Sequence, residues 1–186
     1  MEASDEALVA EIRDGRHEAF DTLVRRHAAG MYGFLNKMLP HHHEVDDVFQ
    51  DVCQRVYTKL NSFDATRKFK PWLYAVARNA ALDACRRYKR QPDTLSFDEH
   101  GPELKHAGAT PASELDANET RELVRQAVDQ LPPRQRTTLV LAYFHGFSYP
   151  EVAETMECSV GTVKTQMSRA LATLARRLPD SLSVTK

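Results

Sequence analysis

The chain has 186 residues, of which 42% are hydrophobic and 27% are charged. This balance is typical of globular proteins, and the length suits one ordinary domain or two small ones. No run of about 18 apolar residues is present, so the sequence predicts no transmembrane helix. The acidic start lacks the basic region and apolar core of a secretory signal, and we therefore expect a cytoplasmic protein without membrane insertion.

The formal net charge of −1 conceals a strong segregation of charge along the chain. Residues 66–90 contain eight basic side chains and one acidic side chain. Residues 91–119 contain seven acidic side chains and one basic side chain, whereas residues 159–178 contain four basic side chains and no acidic one. Two basic blocks separated by an acidic spacer predict two surfaces that face a polyanion.

Apolar residues recur at intervals of three to four along nearly the whole chain, which predicts an all-α fold. We expect a first long helix at 16–39, a second at 44–60, and a third from Pro71 to about residue 90. Prolines and glycines interrupt the pattern between 91 and 118, and helical periodicity resumes near Glu119. The sequence thus predicts two small helical domains, at 1–91 and 118–186, joined by a flexible acidic linker at 92–117.

The second predicted helix carries a polar, acidic outer face formed by Asp46, Asp47, Gln50 and Asp51. A helix N-terminus favours acidic residues, which accounts for the first turn. Asp51 lies beyond that turn and four residues after Asp47, where like charges repel. The pattern therefore favours a binding face for a basic partner.

Aromatic residues are concentrated beside the first basic block, with six of the chain's 15 between Tyr57 and Tyr88. Aromatic rings beside a basic groove suit single-stranded DNA, because every base has a face that can stack. For Trp72 and Tyr74, simple burial in the core is an equally good interpretation. The loop at 61–68 is the better candidate for contact.

The C-terminal segment from Ser148 has the pattern of a helix-turn-helix. Ser148 and Glu151 form a predicted capping box, and Ser159 is the predicted cap of a second helix after a three-residue break. Glu157 occupies the turn position that favours glycine, at a cost on the order of 1 kcal/mol. An ordinary helical hairpin with a solvated face is the alternative interpretation.

Several strings together resemble the extracytoplasmic-function (ECF) class of bacterial sigma factors. LPPRQR at 131–136, HGFSYPEVAETM at 145–156 and SVGTVKTQMSRA at 159–170 are similar to the C-terminal promoter-binding domain of that class. DDVFQDV at 46–52 resembles its polymerase-binding helix, and FKPWLYAVARNAALDACRR at 69–87 resembles its promoter-melting segment. The resemblance implies a factor that directs promoter-specific initiation by binding core RNA polymerase and the −10 and −35 promoter elements.

The resemblance also implies partners and site residues. The implied partners are the clamp coiled coil of the largest polymerase subunit, the flap of the second subunit, promoter DNA and a cognate anti-sigma factor. The acidic face at 46–51 is the implied clamp contact. The implied contacts to the −10 element and the melted strand are Asn61, Ser62, Phe63, Asp64, Lys68, Lys70, Trp72, Arg78, Arg86 and Arg87. The implied contacts to the −35 element are Ser159, Thr162, Lys164, Thr165, Gln166, Ser168 and Arg169.

Other classes of protein explain less of the sequence. His41, His42 and His43 precede several acids, but adjacent histidines do not converge on one metal ion unless the backbone bends, and no second cluster completes a shell. The three scattered cysteines predict no disulfide framework, and no catalytic motif is present, so we expect neither an enzyme nor a cofactor. A sigma-like decoy would lack the acidic face or the basic surfaces, and a simple helix-turn-helix regulator would leave the acidic face and the Trp72 segment unexplained.

Overall fold

The computed structural model describes residues 3–88 and 111–178, and these segments are helical with short connections and no strand, as the periodicity predicts. The N-terminal half contains α1 (Asp5–Arg13), α2 (Glu18–Met38), α3 (Val45–Lys59) and α4 (Phe69–Tyr88). The C-terminal half contains α5 (Pro111–Asp129), α6 (Pro133–Leu139), α7 (Tyr149–Thr155) and α8 (Val160–Ala175). Short 3₁₀ turns at His42–Glu44 and Leu60–Ser62 flank α3, and a π-helical turn at Val140–Phe144 extends α6.

The helix predicted at 16–39 is confirmed to within two residues, but one helix before it is missing from the prediction and another begins earlier than predicted. The first predicted helix at 16–39 begins at Glu18 and is preceded by a separate helix, α1, which the sequence analysis missed. Ser4 caps α1 by accepting a hydrogen bond from the backbone N–H of Ala7, and its apolar residues Leu8, Val9 and Ile12 are buried. Helix α5 begins at Pro111, inside the segment predicted as linker. Residues 89–110 lie outside the described chain.

Apolar residues of α2, α3 and α4 form the core of the N-terminal half. Phe34, Leu35, Val52 and Phe69 are buried. Helix α4 contributes small side chains at Ala77, Ala80, Ala81 and Ala84, all buried. Because alanine projects so little from the helix, α4 can lie close to α2 and α3.

A second, smaller core holds the C-terminal half together. It consists of Val128, Leu131, Leu139, Met167 and Ala170. Helix α8 packs its buried face against α6 and α7. This arrangement fixes the orientation of α8, so that its opposite face points into solvent.

The two halves also pack against each other, which the sequence analysis did not anticipate. Helix α4 lies against α7, and the hydroxyl of Thr155 donates a hydrogen bond to the carbonyl of Pro71 at 3.3 Å. The ring of Tyr74 lies 5.0 Å from that of Phe147 and 5.3 Å from that of His145, measured between centroids. A single buried apolar cluster therefore runs from the first half into the second.

No helix in residues 3–88 and 111–178 has the length and apolar character needed to cross a bilayer. Within the same residues, no three His, Cys, Asp or Glu side chains converge as metal ligands. The adjacent histidines engage different neighbours instead: the ring of His41 lies 4.2 Å from that of Tyr88, and Nδ1 of His42 is 2.9 Å from Oδ1 of Asn36.

Packing between the halves should weaken in acid because of His145. Burial, together with repulsion from Lys70 on α4 and Lys37 on α2, lowers the pKa of His145 from 6.5 to about 4. Nδ1 of His145 faces the hydroxyl of Tyr74 on α4, at 3.3 Å. Between these two pKa values the unfolded chain binds a proton that the folded chain excludes, so stability is lost as the pH falls from about 6.5 towards 4.

We therefore predict that His145→Gln, which has no proton to gain, loses less stability than the wild type over this range. The free energy of unfolding, measured by urea titration at about pH 7 and about pH 4.5, gives the comparison. Equal acid losses in the two proteins would show that His145 does not cause the effect.

Candidate functional site

The helix-turn-helix predicted at 148–170 is present. Ser148 and Glu151 form the capping box, in which the backbone N–H of Ser148 donates to Glu151 Oε2 at 3.0 Å. The turn after α7 passes through Glu157, whose φ of 52° lies in the left-handed region. Ser159 then caps α8 by accepting a hydrogen bond from the backbone N–H of Thr162 at 3.1 Å.

Helix α8 has a buried apolar side and a largely exposed polar side. Val163, Met167 and Ala170 are buried against the rest of the C-terminal half. The predicted −35 contacts lie on the other side, where Ser159, Lys164, Thr165, Ser168 and Arg169 are exposed and Thr162 and Gln166 are half-buried. The hydroxyl of Thr165 donates to the carbonyl of Gly161. The exposed row combines two cations with several small polar groups, which suits phosphates and base edges in a major groove.

The residues of the predicted acidic face of α3 differ in their exposure to solvent. Asp46, Asp47 and Gln50 are exposed, but Asp51 is half-buried and its Oδ1 accepts a hydrogen bond from Arg55 Nε at 2.8 Å. Arg55 also donates to Asp83 on α4 at 2.9 Å, and the two carboxylates, Asp51 first, raise the pKa of Arg55. Arg55 therefore supplies an opposite charge to Asp51 within the chain, and the contact of Asp51 with an external basic partner stays a prediction.

The loop between α3 and α4 exposes only some of its predicted contacts. Asn61, Ser62 and Asp64 are exposed, whereas Phe63 is 3% exposed. The ring of Phe63 packs against those of Phe69 and Trp72, at 5.6 Å and 5.2 Å. Two neighbouring aromatic rings thus bury the ring of Phe63 in this structure, and its contact with DNA stays a prediction.

The predicted contacts on and before α4 fall into two groups. Lys68, Lys70 and Arg78 lie against the C-terminal half: Lys68 Nζ is 2.8 Å from Glu151 Oε1, and Lys70 Nζ lies 4.8 Å above the ring of Phe147. Burial lowers the pKa of Arg78, and the nearby carboxylate of Glu157 acts in the opposite direction. Trp72 is half-buried, while Arg86 and Arg87 near the end of α4 are exposed.

Comparison with known proteins decides the family. The family model of sigma-70 region 2 matches residues 23–91, and that of sigma-70 region 4 matches residues 121–174. The ECF RNA polymerase sigma factor SigW of Bacillus subtilis is 31% identical over 97% of this chain and 100% of its own length. The chain belongs to the ECF class of sigma factors.

Other comparisons agree. The ECF RNA polymerase sigma-E factor of Haemophilus influenzae is 31% identical over 90% of this chain and 91% of its own. The solved structure of CnrH in complex with the cytosolic domain of CnrY is 26% identical and covers 94% of this chain and 96% of that one, with a TM-score of 0.70. The predictions of an all-α fold and of a promoter-specific transcription initiation factor are thus confirmed.

The structure adds one residue of this sigma factor that the sequence analysis missed. The guanidinium of Arg13, at the end of α1, donates hydrogen bonds to the carbonyls of Leu60 at 2.7 Å and Asn61 at 3.4 Å, and also to that of Phe63. It therefore fixes the backbone at the start of the loop 61–68. The apolar periodicity of residues 5–13 could have predicted the helix that carries Arg13. The contact of Arg13 with the loop depends on tertiary packing and could not be predicted from the sequence.

We predict that Arg13→Lys loosens this loop without unfolding the sigma factor. A lysine keeps the charge, but its ammonium lacks the planar fork that reaches several carbonyls at once. Hydrogen exchange at the amides of 61–66 should accelerate by about tenfold or more, the equivalent of one bond to a charged group. Arg16→Lys, at a nearby exposed arginine, is the matched control, and equal exchange in the two variants would contradict the role of Arg13.

The strained turn of the helix-turn-helix offers a second test. Glu157→Gly relieves the positive φ, whereas Glu157→Ala removes the same carboxylate but keeps a Cβ. We expect the glycine variant to be more stable than the alanine variant by about 1 kcal/mol, measured by chemical denaturation. A more stable alanine variant would show that the turn is not strained.

Proposed function

We propose that this sigma factor docks on core RNA polymerase through the exposed part of the α3 face, at Asp46, Asp47 and Gln50. All three side chains are exposed, and Asp46 and Asp47 place two negative charges in the first turn of the helix. The proposed partner is the basic clamp coiled coil of the largest polymerase subunit. Asp51 supports the face indirectly, since it pairs with Arg55, and Arg55 also pairs with Asp83 and so ties α3 to α4.

Helix α8 is proposed to read the −35 element. The observation that carries this proposal is the exposed row of Lys164, Thr165, Ser168 and Arg169 opposite the buried Val163, Met167 and Ala170. Ser159, Thr162 and Gln166 complete the proposed contact set at its edge. A recognition helix needs both features, because its inner face must be anchored while its outer face enters the groove.

The −10 element and its melted strand are proposed to bind the loop 61–68 and helix α4. Asn61, Ser62 and Asp64 present exposed polar groups on the loop. Lys68, Lys70, Arg78, Arg86 and Arg87 supply the positive charge that a single strand requires, and Trp72 supplies an aromatic ring at the edge of the core. Phe63 is left out of this set because of its burial.

Regulation is proposed to follow that of the solved relatives, since CnrH was solved with the cytosolic domain of CnrY. An anti-sigma factor and the flap of the second polymerase subunit are the further proposed partners.

The proposed domains are 1–91 and 118–186, with residues 92–117 joining them. Two weak contacts to one promoter reinforce each other when they are joined in this way. The protein is proposed to act in the cytoplasm, where polymerase and DNA are found, and without catalysis of its own.

Transcription by sigma-free core polymerase on fragmented genomic DNA, with mapping of RNA start sites, tests the proposal. New starts that share two upstream elements are expected when this protein is added. Core binding without new starts would instead favour the decoy, and new starts with only one shared element would contradict dual recognition.

Asp47→Lys tests the docking face. We expect it to weaken binding to core polymerase by about tenfold or more, because it places a cation opposite a basic partner. Asp21→Lys is the matched control, since both residues are exposed acids in the first turn of a helix and both changes oppose the helix dipole equally. Binding can be measured by fluorescence anisotropy, and equal affinity of the two variants would rule out this face.

A further inference from the structure

The contact between α4 and α7 covers part of the surface that the proposed function assigns to promoter melting, from Arg67 to Arg78. Arg67 and Lys68 in the loop before α4 pair with two carboxylates of α7. Arg67 Nη2 lies 2.7 Å from Glu154 Oε1, and Lys68 Nζ lies 2.8 Å from Glu151 Oε1. These carboxylates stand where phosphates of a DNA strand would otherwise bind the two cations.

The cover continues along α4. Lys70 lies over the ring of Phe147, and Arg78 is half-buried close to Glu157. The centre of the contact is apolar: Tyr74, Phe147 and Val152 are at most 5% exposed. Basic residues near the start and middle of α4 are thus engaged by the C-terminal half, whereas Arg86 and Arg87 at its far end are exposed.

Helix α8, the proposed recognition helix, is not covered by the contact between the halves. Lys164, Thr165, Ser168 and Arg169 on α8 remain exposed while α7 is docked. The contact therefore masks one proposed DNA surface and leaves the other one available.

Geometry makes this contact incompatible with simultaneous recognition of both elements. The names of the −10 and −35 elements place them about 25 base pairs apart, which corresponds to roughly 85 Å of duplex at 3.4 Å per base pair. In the structure, a hydrogen bond of 3.3 Å joins α7 to α4. The halves must separate before each can reach its element.

We propose that this sigma factor is self-masking: α7 and the turn before it dock on the end of the loop 61–68 and on the first half of α4, and this part of the melting surface becomes available only when the two halves separate. This inference rests on the proposed function for the identity of the masked surface. In each ion pair the cation is exposed and the carboxylate is half-buried at the surface. Surface pairs of this kind are individually weak, which suits a contact that must open. CnrH in its complex overlays on 94% of the chain, which includes both halves.

A charge exchange across the contact tests the closed state. Arg67→Glu places two acids opposite each other, and Glu154→Arg places two cations opposite each other, so each single variant should favour separation. The double variant Arg67→Glu/Glu154→Arg restores an ion pair with the net charge of the wild type. Glu154 belongs to neither the proposed polymerase contacts nor the proposed DNA contacts. Arg67 lies in the loop 61–68, so Arg67→Glu is used only for the scattering measurement.

Small-angle X-ray scattering of the full chain supplies the first readout. A compact chain of this length has a radius of gyration of about 16 Å, and separated halves should raise the value by about a third. We expect both single variants to expand and the double variant to return towards the wild-type value. Three variants with the wild-type value would overturn the closed state, as would a double variant that is as expanded as the single ones.

Binding of a fluorescein-labelled 20-nucleotide strand of thymidines supplies the second readout. Glu154→Arg should bind this strand several-fold more tightly than Glu18→Arg, a control at an exposed glutamate near the start of α2 that adds the same charge. Equal affinities, despite expansion of Glu154→Arg, would overturn the masking. A failure of the proposed function is distinct, because it would appear as an absence of new transcription starts whatever the scattering shows.

Discussion

Helix α4 packs against α2 and α3 on one side and against the C-terminal half on another. The first contact is made by small apolar side chains and the second by a backbone carbonyl and an aromatic ring. Its inner side, with Ala77, Ala80 and Ala84, lets α2 and α3 approach closely and closes the N-terminal core. Its other contact joins it to α7 through Pro71 and Tyr74. The position of α4 therefore sets the shape of the first core and also the placement of the C-terminal half, which together determine the accessibility of both proposed DNA surfaces.

One glycine shows how closely this packing is fitted. A Cβ on Gly30 of α2 would lie 2.5 Å from the hydroxyl oxygen of Tyr74, too near for either group to stay in place. The absence of a side chain at this position lets the Tyr74 hydroxyl reach towards His145 at 3.3 Å. A residue in the interior of one helix thereby governs a contact between the halves, although glycine lowers the stability of a helix by roughly 1 kcal/mol relative to alanine.

Several of the charged side chains that the sequence pattern assigns to external partners are paired within the chain itself. The acidic face of α3 and the basic block before and along α4 both predict surfaces that bind external partners of opposite charge. In the folded chain, Arg55 pairs with Asp51, and Lys68 pairs with Glu151 of a distant helix. A charge pattern in the sequence therefore identifies groups that can bind a partner of opposite sign, but it does not say whether that partner is another molecule or another part of the same chain.

The sequence by itself determined the helical fold class, the helix-turn-helix with its capping box and strained Glu157, and the family. These features are local: periodicity, caps and turn positions act over a few residues, and so a linear pattern records them. Only the tertiary structure decided that Phe63 is buried, that Arg13 holds the loop 61–68, and that α7 covers α4. Each of these depends on contacts between residues far apart in the chain, as between Lys68 and Glu151, and such contacts arise from the packing of whole helices, which no local pattern specifies.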